Sequence, residues 1–111
     1  MKNPNSERIA ELNDLARTAM GVASRLVQTD GICALDPKDQ SAIREKVENY
    51  DNFKHGDDPY GERDFGWFRH KGEKIYWKID YFDKTGRYAS PDPTDPSKTI
   101  RVLTIMLAEE Y

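Results

Sequence analysis

Asp64-Phe-Gly-Trp-Phe-Arg-His-Lys-Gly-Glu-Lys-Ile-Tyr-Trp-Lys-Ile-Asp-Tyr-Phe-Asp83 contains both tryptophans of the chain, and its reading decides the fold. Ile75, Trp77, Ile79 and Tyr81 recur at every second position, which sets them on one face of a strand, with Tyr76, Lys78, Asp80 and Phe82 on the other. Lys71-Gly72 supplies the turn, because glycine tolerates the positive φ of a tight hairpin. The stretch therefore reads as a β-hairpin with Trp77 in the core and Lys78 facing outward.

Upstream of the hairpin, residues 5–20 carry Ile9, Leu12, Leu15, Ala16, Ala19 and Met20 at spacings of three and four, one apolar stripe along a helix. Asn3-Pro4 or Ser6 can start this helix and Gly21 can stop it. Its other face, with Arg8, Glu11, Asp14 and Arg17, reads as solvated. Residues 24–29 read as a short strand ended by the turn pair Asp30-Gly31, the alternative being a continuation of the first helix. Asp36-Pro37 caps a second helix running to about residue 50, with Ala42, Ile43, Val47 and Tyr50 inward.

Downstream, Asp83-Lys-Thr-Gly86 is a turn that lets 87–90 begin a return strand before a proline-rich loop at 91–96. Residues 99–108 are nearly continuous apolar sequence rich in β-branched side chains. They read as a buried strand, with a C-terminal helix as the alternative. The order α-β-α-β-β-β predicts one α+β domain over residues 1–111: an antiparallel sheet of about four strands with two helices packed on one face.

At 111 residues the chain has room for a single core. A net charge of −3, with no basic run longer than two residues, argues against direct nucleic-acid binding, which requires clustered Lys and Arg to neutralise phosphates. One cysteine, Cys33, rules out an intrachain disulfide framework. The N-terminus has no apolar signal-peptide core and no run approaches a membrane span, so the expected location is cytoplasmic.

Several stretches resemble a family of small, mainly alphaproteobacterial, often plasmid-borne proteins catalogued as a domain of unknown function. They are Asp58-Pro-Tyr-Gly-Glu62 with Asp64-Phe-Gly66, Trp77-Lys-Ile-Asp-Tyr81, Ser90-Pro-Asp-Pro-Thr-Asp-Pro96, and Arg101-Val-Leu-Thr-Ile-Met-Leu-Ala108 with Glu110-Tyr111. The resemblance implies no catalytic residue and no cofactor. Its plasmid setting implies mobile-element biology, such as action against a host defence or nucleic-acid-processing protein.

Charge asymmetry gives the candidate site. Residues 51–64 hold Asp51, Asp57, Asp58, Glu62 and Asp64 against Lys54 and Arg63, a local −3 equal to that of the whole chain. A metal site of Asp57, Asp58, Glu62 and Asp64 with His55 and His70 has no diagnostic spacing, and Asp in loops ordinarily bonds its own backbone. Cys33 with His55 or His70 is a conceivable nucleophile pair, but a lone Cys between Ile32 and Ala34 reads as a small core residue. Asp80 reads as a surface charge in reach of Lys78 or Arg101. Tyr60, Phe65, Trp67 and Phe68 suit a contact surface or the core equally. The expected function is a small acidic binding or inhibitory protein. Asp57, Asp58, Tyr60, Glu62 and Asp64 would meet a protein partner with a basic surface, without cofactor, metal or membrane. The alternative is a small metal-dependent hydrolase or nuclease-like enzyme using the 57–64 carboxylates.

Overall fold

The computed structural model describes residues 4–54 and 56–111. Helix α1 (Pro4–Thr18) leads to strand β1 (Arg25–Gln28), the single helical turn α2 (Asp30–Cys33) and helix α3 (Pro37–Glu48). The hairpin β2 (Phe65–His70) and β3 (Glu73–Phe82) follows, then β4 (Ile100–Leu107). The Asp36 side chain caps α3 by accepting from Lys38 N at 2.9 Å, with Pro37 in the first turn as expected. Lys71 and Gly72 both take positive φ, 50° and 84°, which matches the hairpin to the right-handed twist of its strands.

The four strands form one sheet in the order β1-β4-β3-β2. The α+β class and the four-stranded sheet agree with the sequence reading, but the sheet is mixed. β1 runs parallel to β4, with Leu26 opposite Leu103, while the other pairings are antiparallel. Alternation specifies which face a side chain takes and is silent on strand direction. Residues 87–90 contribute only an isolated bridge, Phe82 to Ala89, in place of a return strand. Asp30-Gly31 opens α2 instead of a simple turn. The Glu110 carboxylate, just past β4, accepts from Gly31 N at 2.9 Å and Thr29 Oγ1 at 2.6 Å, filling the space that a Cβ at Gly31 would need.

Helices α1, α2 and α3 all contribute to the layer over one face of the sheet. Ile75, Trp77 and Ile79 of β3 and Leu103 and Ile105 of β4 meet Ala16, Ile32, Ile43 and Val47 there, all buried. Trp77 is fully buried beside Tyr50 and Phe53 in edge-on contacts, as its alternation predicts. Lys78 points to the opposite face and pairs with Asp80 at 3.0 Å. On that face Phe65, Tyr76 and Tyr111 pack ring to ring, and Lys74 Nζ sits 4.3 Å from the Trp67 ring. Phe68 turns the other way and packs against the core. The outer edge of β2 is blunted, since Trp67 N donates to Tyr50 Oη and Arg69 O accepts from Lys46 Nζ.

Helix α1 presents a different face from the one its leucines predict. The buried positions are Ser6, Ile9, Ala10, Asn13, Ala16 and Arg17, whereas Leu15 is 51% exposed. This stripe keeps the three-and-four spacing but is rotated about the axis, and two of its members are strongly polar. Ser6 lies inside the helix and is not its cap, and Asn3 falls outside the described residues. The helix stops at Thr18, and Gly21 (φ 80°) shapes the turn that follows.

Candidate functional site

The rotation of α1 exists because Asn13 and Arg17 have partners that sequence proximity does not reveal. Arg17 Nη1 donates to the carbonyls of Val47 at 3.1 Å and Tyr50 at 3.0 Å, covering the C-terminal end of α3. Its guanidinium also lies 5.3 Å from the ring centres of Phe53 and Trp77. Arg17 Nη2 donates to Asp14 Oδ1 at 2.6 Å, and Arg63 grips both oxygens of the same carboxylate at 3.0 and 2.6 Å. Burial raises the Asp14 pKa, but the bonds from Arg63 and Arg17 outweigh it and leave the carboxyl below its ordinary value. Asp14 and Arg17 are therefore the hinge between α1, α3 and the 57–64 loop, and the solvated face expected for them is corrected.

A second set of bonds is centred on Asn13, which is fully buried. Asn13 Nδ2 donates to Tyr81 Oη at 2.8 Å and to the carbonyl of Glu62 at 3.0 Å, while its Oδ1 accepts from Arg101 Nε at 2.8 Å. Tyr81 Oη in turn donates to Glu62 Oε1 at 3.0 Å. Burial pushes the Tyr81 phenol far above its ordinary value, with Asp64 and Glu62 adding to the push against the Asn13 bond. Arg101 Nη2 reaches the Pro93 carbonyl at 2.6 Å. Asn13 thus ties α1, β3, β4 and the 57–64 loop together, and Arg101 adds the 91–96 loop.

The five candidate residues divide on this scaffold. Asp58 Oδ1 accepts from Arg63 N at 3.0 Å, closing the loop on itself around Gly61 (φ 69°) and Arg63 (φ 53°). Glu62 turns inward to Tyr81. The Asp64 carbonyl accepts from Ile79 N at 2.8 Å, extending the hairpin ladder by one bond. Burial, then the charges of Glu62, Asp58 and Asp80, push the Asp64 carboxyl from 3.8 up to about 6 against a bond from its own backbone. Asp57 is half-buried and Tyr60 is 71% exposed. The structure therefore brings Glu62 and Asp64 to the network and leaves Tyr60 at the tip.

The remaining chemical candidates separate. His55 lies outside the described residues. His70 Nε2 is 2.9 Å from Asp39, on the α3 side of the hairpin, and its Nδ1 is 3.1 Å from Lys46 Nζ. Hydrogen bonds from His70 and Lys71 hold Asp39 below its ordinary value. Cys33 is exposed at the end of α2, not in the core, and its Sγ lies 3.5 Å from the Gln28 carbonyl, with no histidine bonded to it among the described residues. Asp80 is paired by Lys78 and not by Arg101. Among the described residues no three of His, Cys, Asp and Glu are grouped to hold a metal ion, and no helix is long and apolar enough to cross a membrane.

Asn13, Asp14, Arg17, Tyr81 and Arg101 are the site residues that charge counting misses. The available signal is the set 6, 9, 10, 13, 16 and 17, a helical stripe with the same period as the leucine stripe and smaller side chains.

The family model described as "Protein of unknown function (DUF3768)" matches residues 28–110, from the last residue of β1 to the turn after β4. No curated protein and no solved structure matches the chain. The matched span covers the hairpin, β4 and the 57–64 loop, and on that basis the chain belongs to the DUF3768 family of proteins of unknown function.

Proposed function

We propose that this chain is a binding protein whose contact element is the 57–64 loop, with Tyr60 as anchor and a basic protein surface as its counterpart. The observation that carries the reading is the contrast between an exposed Tyr60 tip and a pinned base. Arg63 is clamped to Asp14, Glu62 to Tyr81 and Asn13, and Asp58 to the Arg63 backbone. A loop fixed in this way loses little further entropy on docking, and a tyrosine gives a large amphipathic contact at low ordering cost. Asp57 and Asp58 lie beside the tip, where rim charge speeds encounter with a positive surface.

Such binding inhibits a partner when it covers the partner's own basic working surface. The plasmid setting that the family resemblance implies favours a host defence or nucleic-acid-processing protein as that partner.

The test is capture from host lysate by wild type and by Tyr60→Ala, with melting followed in parallel. Exposed Tyr60 makes the variant melt as the wild type does, and the reading expects capture to be lost and to weaken as salt rises. Undiminished capture by Tyr60→Ala moves the contact surface away from the loop.

A further inference from the structure

At the other end of the Asn13 network lies a cleft of about 400 Å³ between the end of α1, the start of β1 and the start of β4. We propose that this cleft binds a small organic oxyanion with an apolar body. The inference stands apart from the loop reading and uses different surface residues.

Charge is the first argument. Arg25, Lys84 and Arg101 line the cleft and no carboxylate does, in a chain whose net charge is −3. None of the three forms an ion pair among the described residues. Arg101 is the telling member, being only 5% exposed. A buried guanidinium is ordinarily matched by a carboxylate, because an unpaired buried charge is costly. Here Nε and Nη2 meet only neutral oxygens, of Asn13 and Pro93, so the positive charge is held in place without being neutralised. Burial lowers its pKa and nearby Arg8 lowers it further, while Tyr81 and the more distant Glu62 carboxylate, which is bonded to Tyr81 and not to Arg101, oppose the shift.

Shape and polarity give the second argument. Leu12, Leu15, Val22 and Ile100 form the apolar wall. Leu15 is 51% and Val22 91% exposed, an apolar surface that folding leaves uncovered. The hydroxyls of Ser24 and Thr99 already donate to the carbonyls of Ala16 and Asp92, so hydrogen-bond donation to a ligand falls to the three cations. The volume sits at the small end of the roughly 300–1,000 Å³ of small-molecule sites. An oxyanion head against the cations with an aliphatic body along the leucines satisfies both halves, and Nη1 is the Arg101 nitrogen left for the head.

The experiment titrates the full chain with octanoate, octyl phosphate, inorganic phosphate and octanol, following methyl signals by NMR. Saturable shifts at Leu12, Leu15, Val22 and Ile100 with octanoate or octyl phosphate support the proposal, and the tighter of the two identifies the head group. Arg101→Ala endangers the fold through Asn13, so the charge requirement is tested on exposed positions. The double variant Arg25→Ala/Lys84→Ala should weaken binding roughly tenfold. Leu15→Asp, which places a carboxylate in the cleft, should abolish binding without loss of melting temperature. The proposal is overturned if neither amphiphile gives saturable shifts, if the double variant binds as wild type, or if octanol or inorganic phosphate binds as tightly as the amphiphiles.

Discussion

Arg101 Nε and Asn13 Oδ1 lie 2.8 Å apart although 88 residues separate them in the chain. That bond fixes the rotation of α1, because Asn13 is buried only where Arg101, Tyr81 and the Glu62 carbonyl can all reach it. Asn13→Leu keeps the volume and removes every polar partner. It should destabilise the chain by roughly 2–4 kcal/mol, since Arg101 Nε, the Tyr81 oxygen and the Glu62 carbonyl each lose the bond to Asn13 away from bulk water. Leu15→Ser, on the exposed face, should change stability by about 0.5 kcal/mol or less. Urea denaturation midpoints compare the two, and a larger loss for Leu15→Ser refutes the orientation of α1.

Trp77 and Lys78 occupy opposite faces of β3. Trp77→Ala should cost roughly 3–5 kcal/mol through the cavity it opens. Lys78→Ala removes a half-exposed ion pair with Asp80 and should cost less than about 1 kcal/mol. Equal midpoints for the two variants would reverse the strand faces.

Gly66 is opposite Trp77 in the hairpin register, and a Cβ there would lie 2.5 Å from the indole nitrogen and 2.6 Å from the Tyr50 ring. Both rings are packed and have little room to yield. Gly66→Ala should therefore destabilise by roughly 1–3 kcal/mol despite alanine's lower entropic cost in a strand. Near-ultraviolet circular dichroism should change with it, because the Trp77 environment is disturbed.

The pH dependence of stability carries the mark of Asp64. Its folded carboxyl titrates at about 6 and its ordinary value is 3.8, so between these values the folded chain binds more protons than the unfolded one. Stability from this group therefore falls as pH rises through that window and is level above it. With solvent screening allowed for, the loss amounts to about 1–2 kcal/mol. Asp64→Asn should remove the decline, so its stability relative to wild type rises from about pH 4 to about pH 6. Asp14, held low by its two arginines, acts in the opposite sense at more acid pH. Parallel slopes for the two proteins would show that Asp64 is solvated.

The hairpin, the capped α3 and the face of Trp77 are legible in the sequence because each rests on neighbours in the chain: alternation, a turn pair, Asp before Pro. The polarity of β1 against β4 is not, since a four-residue strand alternates identically in either direction. Nor is the face of α1. Leu12 and Leu15 outweigh Asn13 and Arg17 in any count of apolarity, and the partners that turn the helix the other way sit at Val47, Tyr50, Glu62, Tyr81 and Arg101. In the loop, composition reveals the carboxylates, yet Glu62 turns inward only because the Tyr81 hydroxyl lies beneath it.

Arg17 over the last carbonyls of α3 makes α1 resemble a bound ligand of the remainder of the chain. The helix lies outside residues 28–110 and supplies Arg17 and Asn13 to sockets formed within that span. Only the connection through Gly21 and Val22, both exposed, makes this docking intramolecular. A single cut there would turn a fixed local concentration, on the order of millimolar for a short tether, into an ordinary second-order association. Helix and sheet would then reassemble with an affinity that measures, as a dissociation constant, what the tether conceals.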